Sequence, residues 1–135
     1  MPVVSVTRLR VRSWCYLVPF LFFALRSSRQ AKGSAGNLGI SLLRDANLAF
    51  WTRTMWTNEE AMKSFMLSGS HRQVMPHLLD WCDEAALVHW TQESDVAPDW
   101  NEAHQRIQQE GRRSKVRHPS PAHDRYEIPK PTIRV

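Results

Sequence analysis

Three of the six histidines and four of the six tryptophans fall between residues 51 and 90. His71, His77 and His89 bring imidazoles, which can hold or take a proton near neutral pH or ligate a metal. Trp51, Trp56, Trp81 and Trp90 bring flat apolar rings, with Phe65 and Met75 among them. Rings and imidazoles gathered in one stretch suit the lining of a cavity or interface for a lipophilic ligand, oriented by a few polar groups. His71 and His89 are the candidate catalytic groups. Trp51, Trp56, Phe65, Met75, Trp81 and Trp90 are the candidate substrate contacts. Each also has a plainer reading: His71 as an exposed residue at a helix start, His89 as a satisfied core residue, and the rings as ordinary packing.

Spacing removes several chemistries. His71 and His77 are six residues apart, about 600° around a helix, so they do not share a face. With H-E-x-x-H also absent, no metal site is expected. His77 should instead meet Asp80 or Trp81 along its own helix. Cys82 has no neighbouring base and reads as a small buried thiol. The glycines from Gly33 to Gly39 follow a helix and precede a strand, the reverse of a dinucleotide fingerprint, and carry no P-loop Lys-Ser/Thr.

The net charge of +5 comes from one end. Residues 1–110 hold eleven Lys/Arg and eleven Asp/Glu, whereas 111–135 hold seven Lys/Arg against Asp124 and Glu127. The body therefore shows no excess charge for nucleic acid, and the basic tail reads as solvated. The apolar run 14–25 is too short to span a bilayer, for which about 20 residues are needed, so it should be a buried helix. Arg26 and Arg29 continue its amphipathic pattern, unlike a secretory signal. Two cysteines fit a cytoplasmic setting.

The elements that must position these residues follow from periodicity. Val3–Val11 alternates as a strand, with Val3, Ser5, Thr7, Leu9 and Val11 on one face. Pro19 can open a helix, which Gly33 would end in the left-handed conformation. Residues 38–42 alternate as a second strand, and Asp45-Ala46-Asn47 suits a turn. Residues 48–56 form a third strand, apolar on both faces, so both sides of the sheet must be covered. Thr57 and Glu60 read as a capping box for a helix burying Met62 and Phe65, and Ser70 to Gln73 repeats the device. Pro76 should kink the second helix or restart it. Residues 85–91 close the pattern as the last strand.

The order is β-α-β-β-α-β, the α+β ferredoxin-like split βαβ arrangement with an antiparallel four-stranded sheet over residues 1–95. Both long helices would lie on one face. Covering the other requires a homodimer whose sheets pack face to face. Residues 96–135 should add a short helix, with Trp100, Ala103 and Ile107 on its inner side, and then an extended basic tail without regular structure.

Two stretches carry a family resemblance: Ser68-Gly69-Ser70-His71-Arg72 with Met75-Pro76, and Trp81-Cys82-Asp83-Glu84-Ala85 with Val88-His89-Trp90-Thr91-Gln92. Arg29-Gln30-Ala31, Phe50-Trp51-Thr52 and the tail around His118-Pro119-Ser120-Pro121 fit it too. Together they resemble a family of small uncharacterised bacterial proteins related to spheroidene monooxygenase and, more distantly, to the antibiotic biosynthesis monooxygenase group. The resemblance implies a dimeric α+β barrel with one apolar pocket per subunit. It also implies an oxygenase-like activity on a small lipophilic substrate, aromatic or isoprenoid, or else a non-enzymatic ligand- or haem-binding protein. If haem is the cofactor, His71 stands ahead of His77 as its ligand. Met75, one turn from His71 on the same face, cannot be the opposite axial ligand. The expected partners are a second copy and the substrate, with neither nucleic acid nor membrane insertion.

Overall fold

The computed structural model describes residues 1–131. The remaining four residues of the expected tail lie outside the described residues. Five strands form one antiparallel sheet in the order β2-β3-β1-β4-β5. They are β1 (Val3–Val11), β2 (Asn37–Arg44), β3 (Ala49–Trp56), β4 (Cys82–Thr91) and the two-residue β5 (Arg112–Arg113). The first four reproduce the ferredoxin-like order. The fifth is new: the tail pairs Arg113 with Ala86 and Arg112 with Leu87 at the free edge of β4.

Helices α1 (Leu17–Lys32), α2 (Glu59–Met66) and α3 (Gly69–Trp81) sit on one sheet face. Helix α1 follows a 3-10 turn at Trp14–Tyr16 and starts two residues before Pro19, which still lies in the first turn, where its missing N–H costs nothing. Gly33 ends α1 with φ −87° rather than left-handed, and its N–H returns to the Arg29 carbonyl. The left-handed residue is Gly36, at φ 84°. A Cβ there would stand 2.6 Å from the Ala61 Cβ, so glycine serves both the turn and the approach of α2.

Other local expectations shift by a residue or more. The turn before β3 uses Asn47 and Leu48, both at positive φ, so Leu48 is a turn residue and not the start of the strand. Asn58, not Thr57, caps α2, its Oδ1 accepting the Ala61 N–H at 2.9 Å. Ser70 is not at the cap position expected for it: α3 begins at Gly69, and Gln30 of α1 caps it from across the layer. Pro76 neither breaks nor restarts α3. The carbonyl its ring leaves unpaired belongs to Arg72, and both residues are exposed, so water can take the bond.

The decisive difference lies on the second sheet face. There α4 (Trp100–Glu110), capped by Asp99 through the Glu102 N–H at 2.8 Å, lays Ala103 and Ile107 against the sheet. They pack with Val4, Val6, Trp51, Met55, Ala86, Val88 and Trp90 in one core, which Trp100, Tyr126 and Ile128 close at its edge. The face expected to be bare is thus covered by the chain's own C-terminal segment. The apolar second side of β3 needs no partner subunit, and the packing argument for a face-to-face homodimer is removed. The tail also contains α5 (Pro121–Asp124), so it is not wholly irregular, although it does lie over the body.

Candidate functional site

Between the sheet and α1–α3 lies a cavity of about 400 Å³, within the range of small-molecule sites. Its floor alternates out of the strands: Ser5, Thr7 and Leu9 from β1, Thr52, Thr54 and Trp56 from β3, and Ala85, Leu87 and His89 from β4. Period-two alternation sends the even-numbered neighbours on β1 and β4, and Trp51 and Met55 on β3, to the opposite core. Phe20, Phe23, Ala24 and Ser27 of α1 form one wall, Met62 and Phe65 of α2 another, and His71, Val74, Met75 and Leu78 of α3 the third.

An aromatic row crosses this space. The Trp56 ring stacks on Phe65 at 5.1 Å between centroids, and Phe65 meets the His71 imidazole at 4.7 Å. Trp56 is anchored by its Nε1–H, donated to Thr54 Oγ1 at 2.9 Å. His71 is held from two sides. Its backbone N–H is accepted by Gln30 Oε1 at 2.9 Å, and its Nδ1 lies 3.1 Å from the Met66 carbonyl oxygen. A carbonyl only accepts, so Nδ1 carries the proton and Nε2 keeps its lone pair. Burial pushes the imidazole pKa down, only partly opposed by the bond to Met66. His71 is therefore neutral at neutral pH and presents a basic nitrogen in an apolar setting.

The structure brings together five of the sequence candidates and excludes the others. His71, His89, Trp56, Phe65 and Met75 line the cavity, with His89 and Met75 exposed at its rim. Trp51 and Trp90 do not: both belong to the core under α4, because their strand parity points them through the sheet. Trp81 also lies outside the lining: it sits at the contact of α1 with α3, stacked on His77 at 5.0 Å, tilted against Phe23 at 5.8 Å and packed against the core of Val11, Phe20 and Cys82. His77 is exposed and engaged with that ring, as its spacing suggested, and does not line the cavity. It is therefore no second candidate for an iron ligand.

Sequence reasoning missed five contributors. Phe20, Phe23 and Ser27 were legible as one face of α1, but not as a cavity wall. Gln30 stands out in the sequence only as part of the family resemblance. Its role as the cap of α3 depends on two helices meeting, which no spacing shows. Lys115, exposed at the mouth, is the cation among the lining residues and makes no ion pair among the described residues. Cys82 is buried under α3, and burial, with the Asp83 carboxylate beside it, pushes its thiol up to about 12, so it is not a nucleophile. Among the described residues, no three His, Cys, Asp or Glu side chains stand close enough to hold a metal ion.

A family model described as a domain of unknown function, DUF3291, matches residues 23–115. The chain belongs to the DUF3291 family. No curated protein matches this DUF3291 chain in sequence. Among solved structures it is similar to SnoaB, a cofactor-independent oxygenase from Streptomyces nogalater, with a TM-score of 0.56 and 16% identity over 73% of this chain and 98% of that one. It is also similar to Rv0793 from Mycobacterium tuberculosis, with a TM-score of 0.65 and 10% identity over 72% of this chain and 100% of that one. A structure described as an antibiotic biosynthesis monooxygenase gives a TM-score of 0.60 at 9% identity, covering 68% of this chain and 99% of that one. At these identities the likeness is one of fold: the DUF3291 chain has the antibiotic biosynthesis monooxygenase-like α+β fold. No helix among the described residues is long and apolar enough to cross a membrane.

Proposed function

We propose that this protein binds a small lipophilic substrate, aromatic or isoprenoid, in the cavity under α1–α3 and supports its oxidation by dioxygen, with His71 as the general base. One observation carries the reading: a neutral imidazole, fixed through Nδ1 and so left with Nε2 as its acceptor nitrogen, lines an apolar cavity beside Phe65. Such a base can take a proton from a carbon acidified by flanking unsaturated groups, and the resulting carbanion can react with dioxygen directly. The balanced change is R₂CH₂ + O₂ → R₂C=O + H₂O. One oxygen atom stays on carbon and the other leaves as water; the carbon is oxidised by four electrons and dioxygen is reduced by four. The description of SnoaB as a cofactor-independent oxygenase supports this chemistry. The resemblance to a family of small bacterial proteins related to spheroidene monooxygenase supports the lipophilic class, without that enzyme's long polyene as the substrate. A cytoplasmic setting belongs to the same proposal, supported by the two free thiols. Face-to-face pairing of two sheets is not carried into it, because α4 fills that face.

Oxygen uptake with a panel of polycyclic aromatic compounds that carry a CH₂ between unsaturated, carbonyl-conjugated groups tests the proposal. His71→Ala should lower kcat by about 10²–10⁴ while ligand binding persists. A variant with undiminished rate removes His71 as the base, and a wild type that binds these ligands without consuming dioxygen removes the oxygenase.

The second reading is a non-enzymatic haem-binding protein. It is favoured by the same Nδ1–H···O=C arrangement, which orients a histidine iron ligand, and by Lys115 at the mouth, which could meet a propionate. Bound haem would supply redox chemistry at iron; the chain's part would be to ligate through His71 Nε2 and keep water out. A hemin Soret shift that vanishes in His71→Ala would establish it, and no shift in the wild type dismisses it.

A further inference from the structure

Helix α1 has two apolar faces, and only one is used. Phe20, Phe23, Ala24 and Ser27 turn inward to the cavity. On the opposite side, Val18, Leu21, Phe22 and Leu25 fall within an arc of roughly 100° at 3.6 residues per turn, and all are exposed, Val18 by 75% and Leu25 by 59%. Trp14, on the turn just before, adds a ring 69% exposed. A contiguous stripe of this kind marks a contact surface rather than scattered surface apolarity.

Charge identifies what it contacts. Arg29 and Lys32 continue the same arc one and two turns further on, and Arg26 borders it, its guanidinium 5.6 Å from the Phe22 ring. Arg26, Arg29 and Lys32 make no ion pair among the described residues. No Asp or Glu occurs before Asp45 in the whole chain, so nothing on β1 or α1 offsets these cations. A second copy of α1 would bring no acidic side chain to them. An anionic lipid surface supplies both complements at once, acyl chains for the stripe and phosphates for the cations.

We propose that α1 is an interfacial helix that rests the protein on anionic membrane surfaces, with Trp14, Val18, Phe22 and Leu25 in the headgroup boundary and Arg26, Arg29 and Lys32 on lipid phosphates. The helix lies on the bilayer and does not cross it. This contact does not depend on the chemistry assigned to the cavity.

Sedimentation of the full chain with phosphatidylcholine vesicles, with and without phosphatidylglycerol, tests it. Binding should be on the order of a hundredfold tighter with the anionic lipid and should fall steeply with added salt. Phe22→Ser/Leu25→Ser, which changes only exposed positions, should weaken it by tenfold or more on the order of apolar burial, with an unchanged circular dichroism spectrum. Equal binding to both vesicle types, binding to neither, or a double variant that binds as well as the wild type overturns the proposal. Lipid-free self-association that this double variant abolishes would also overturn it, by giving the stripe to a second copy.

Discussion

Arg8 of β1 and Glu84 of β4 form an ion pair at 2.7 Å with both side chains almost wholly buried on the α4 side of the sheet. The tail completes the pair: Ser120 Oγ donates to the other Glu84 oxygen at 2.9 Å, and the Ser120 N–H is accepted by the Asp83 carbonyl. Arg10 and Asp83 add a second pair at 2.7 Å nearer the surface. Buried charge therefore fastens the C-terminal segment to the sheet it covers.

Glu84→Ala should cost about 3–5 kcal/mol, because it leaves the Arg8 guanidinium buried without a counter-charge. Arg8→Met/Glu84→Leu should recover most of that loss, since neither charge then needs compensation. Urea unfolding of the three proteins checks both. A double variant as weak as the single one would show that shape, and not charge, is at stake.

Gln30→Ala should destabilise the protein by about 1–3 kcal/mol, since the Gln30 side chain satisfies both the Ser68 carbonyl at 2.7 Å and the His71 N–H at 2.9 Å. Because the second bond anchors the backbone of the proposed base, the variant should also lose turnover more than binding. Thermal unfolding and the kcat-against-KM split measure the two effects.

A chain ending at residue 98 lacks α4 and the tail, and should self-associate. It would expose the face of Val4, Trp51, Met55, Val88 and Trp90 that α4 otherwise buries. Light scattering should report a dimer or larger species for the truncated protein, together with stronger binding of an apolar dye than the full chain shows. A truncated protein that remains monomeric and dye-free would contradict this account of the second face.

Acid should weaken the fold partly through His71. Its pKa is lowered in the folded state, so between that value and the ordinary 6.5 the unfolded chain binds more protons. Stability then rises with pH through this window and is level above it. The difference between wild type and His71→Gln in chemical denaturation across the window isolates the effect, and the wild type should show the steeper acid loss. Parallel curves would mean that the imidazole is not desolvated as described.

Much of the fold was legible because it depends on local periodicity. Val3–Val11 alternates, and the strand has those bounds. Trp100, Ala103 and Ile107 recur at helical spacing, and they face the sheet. Strand alternation in β3 puts Trp56 and Thr54 on the cavity side and Trp51 and Met55 on the other, although both tryptophans stood together as candidate contacts. Boundaries slipped where two residues competed for one role, as Thr57 and Asn58 did for the cap of α2, or where a partner came from elsewhere, as Gln30 did for α3.

The amino-acid order by itself determined the order of the first four strands and the helices between them, the two-sided greasiness of β3 and eight undivided candidates, Trp51, Trp56, Phe65, His71, Met75, Trp81, His89 and Trp90. Only the tertiary structure decided which layer covers each side of the sheet. That choice put α4 where a second subunit was expected, sent Trp51 and Trp90 into an ordinary core, and left the cavity to the other face. The reason is physical: strand parity sets which residues share a face, but what fills that face is a contact between segments far apart in the chain, and no local pattern encodes it.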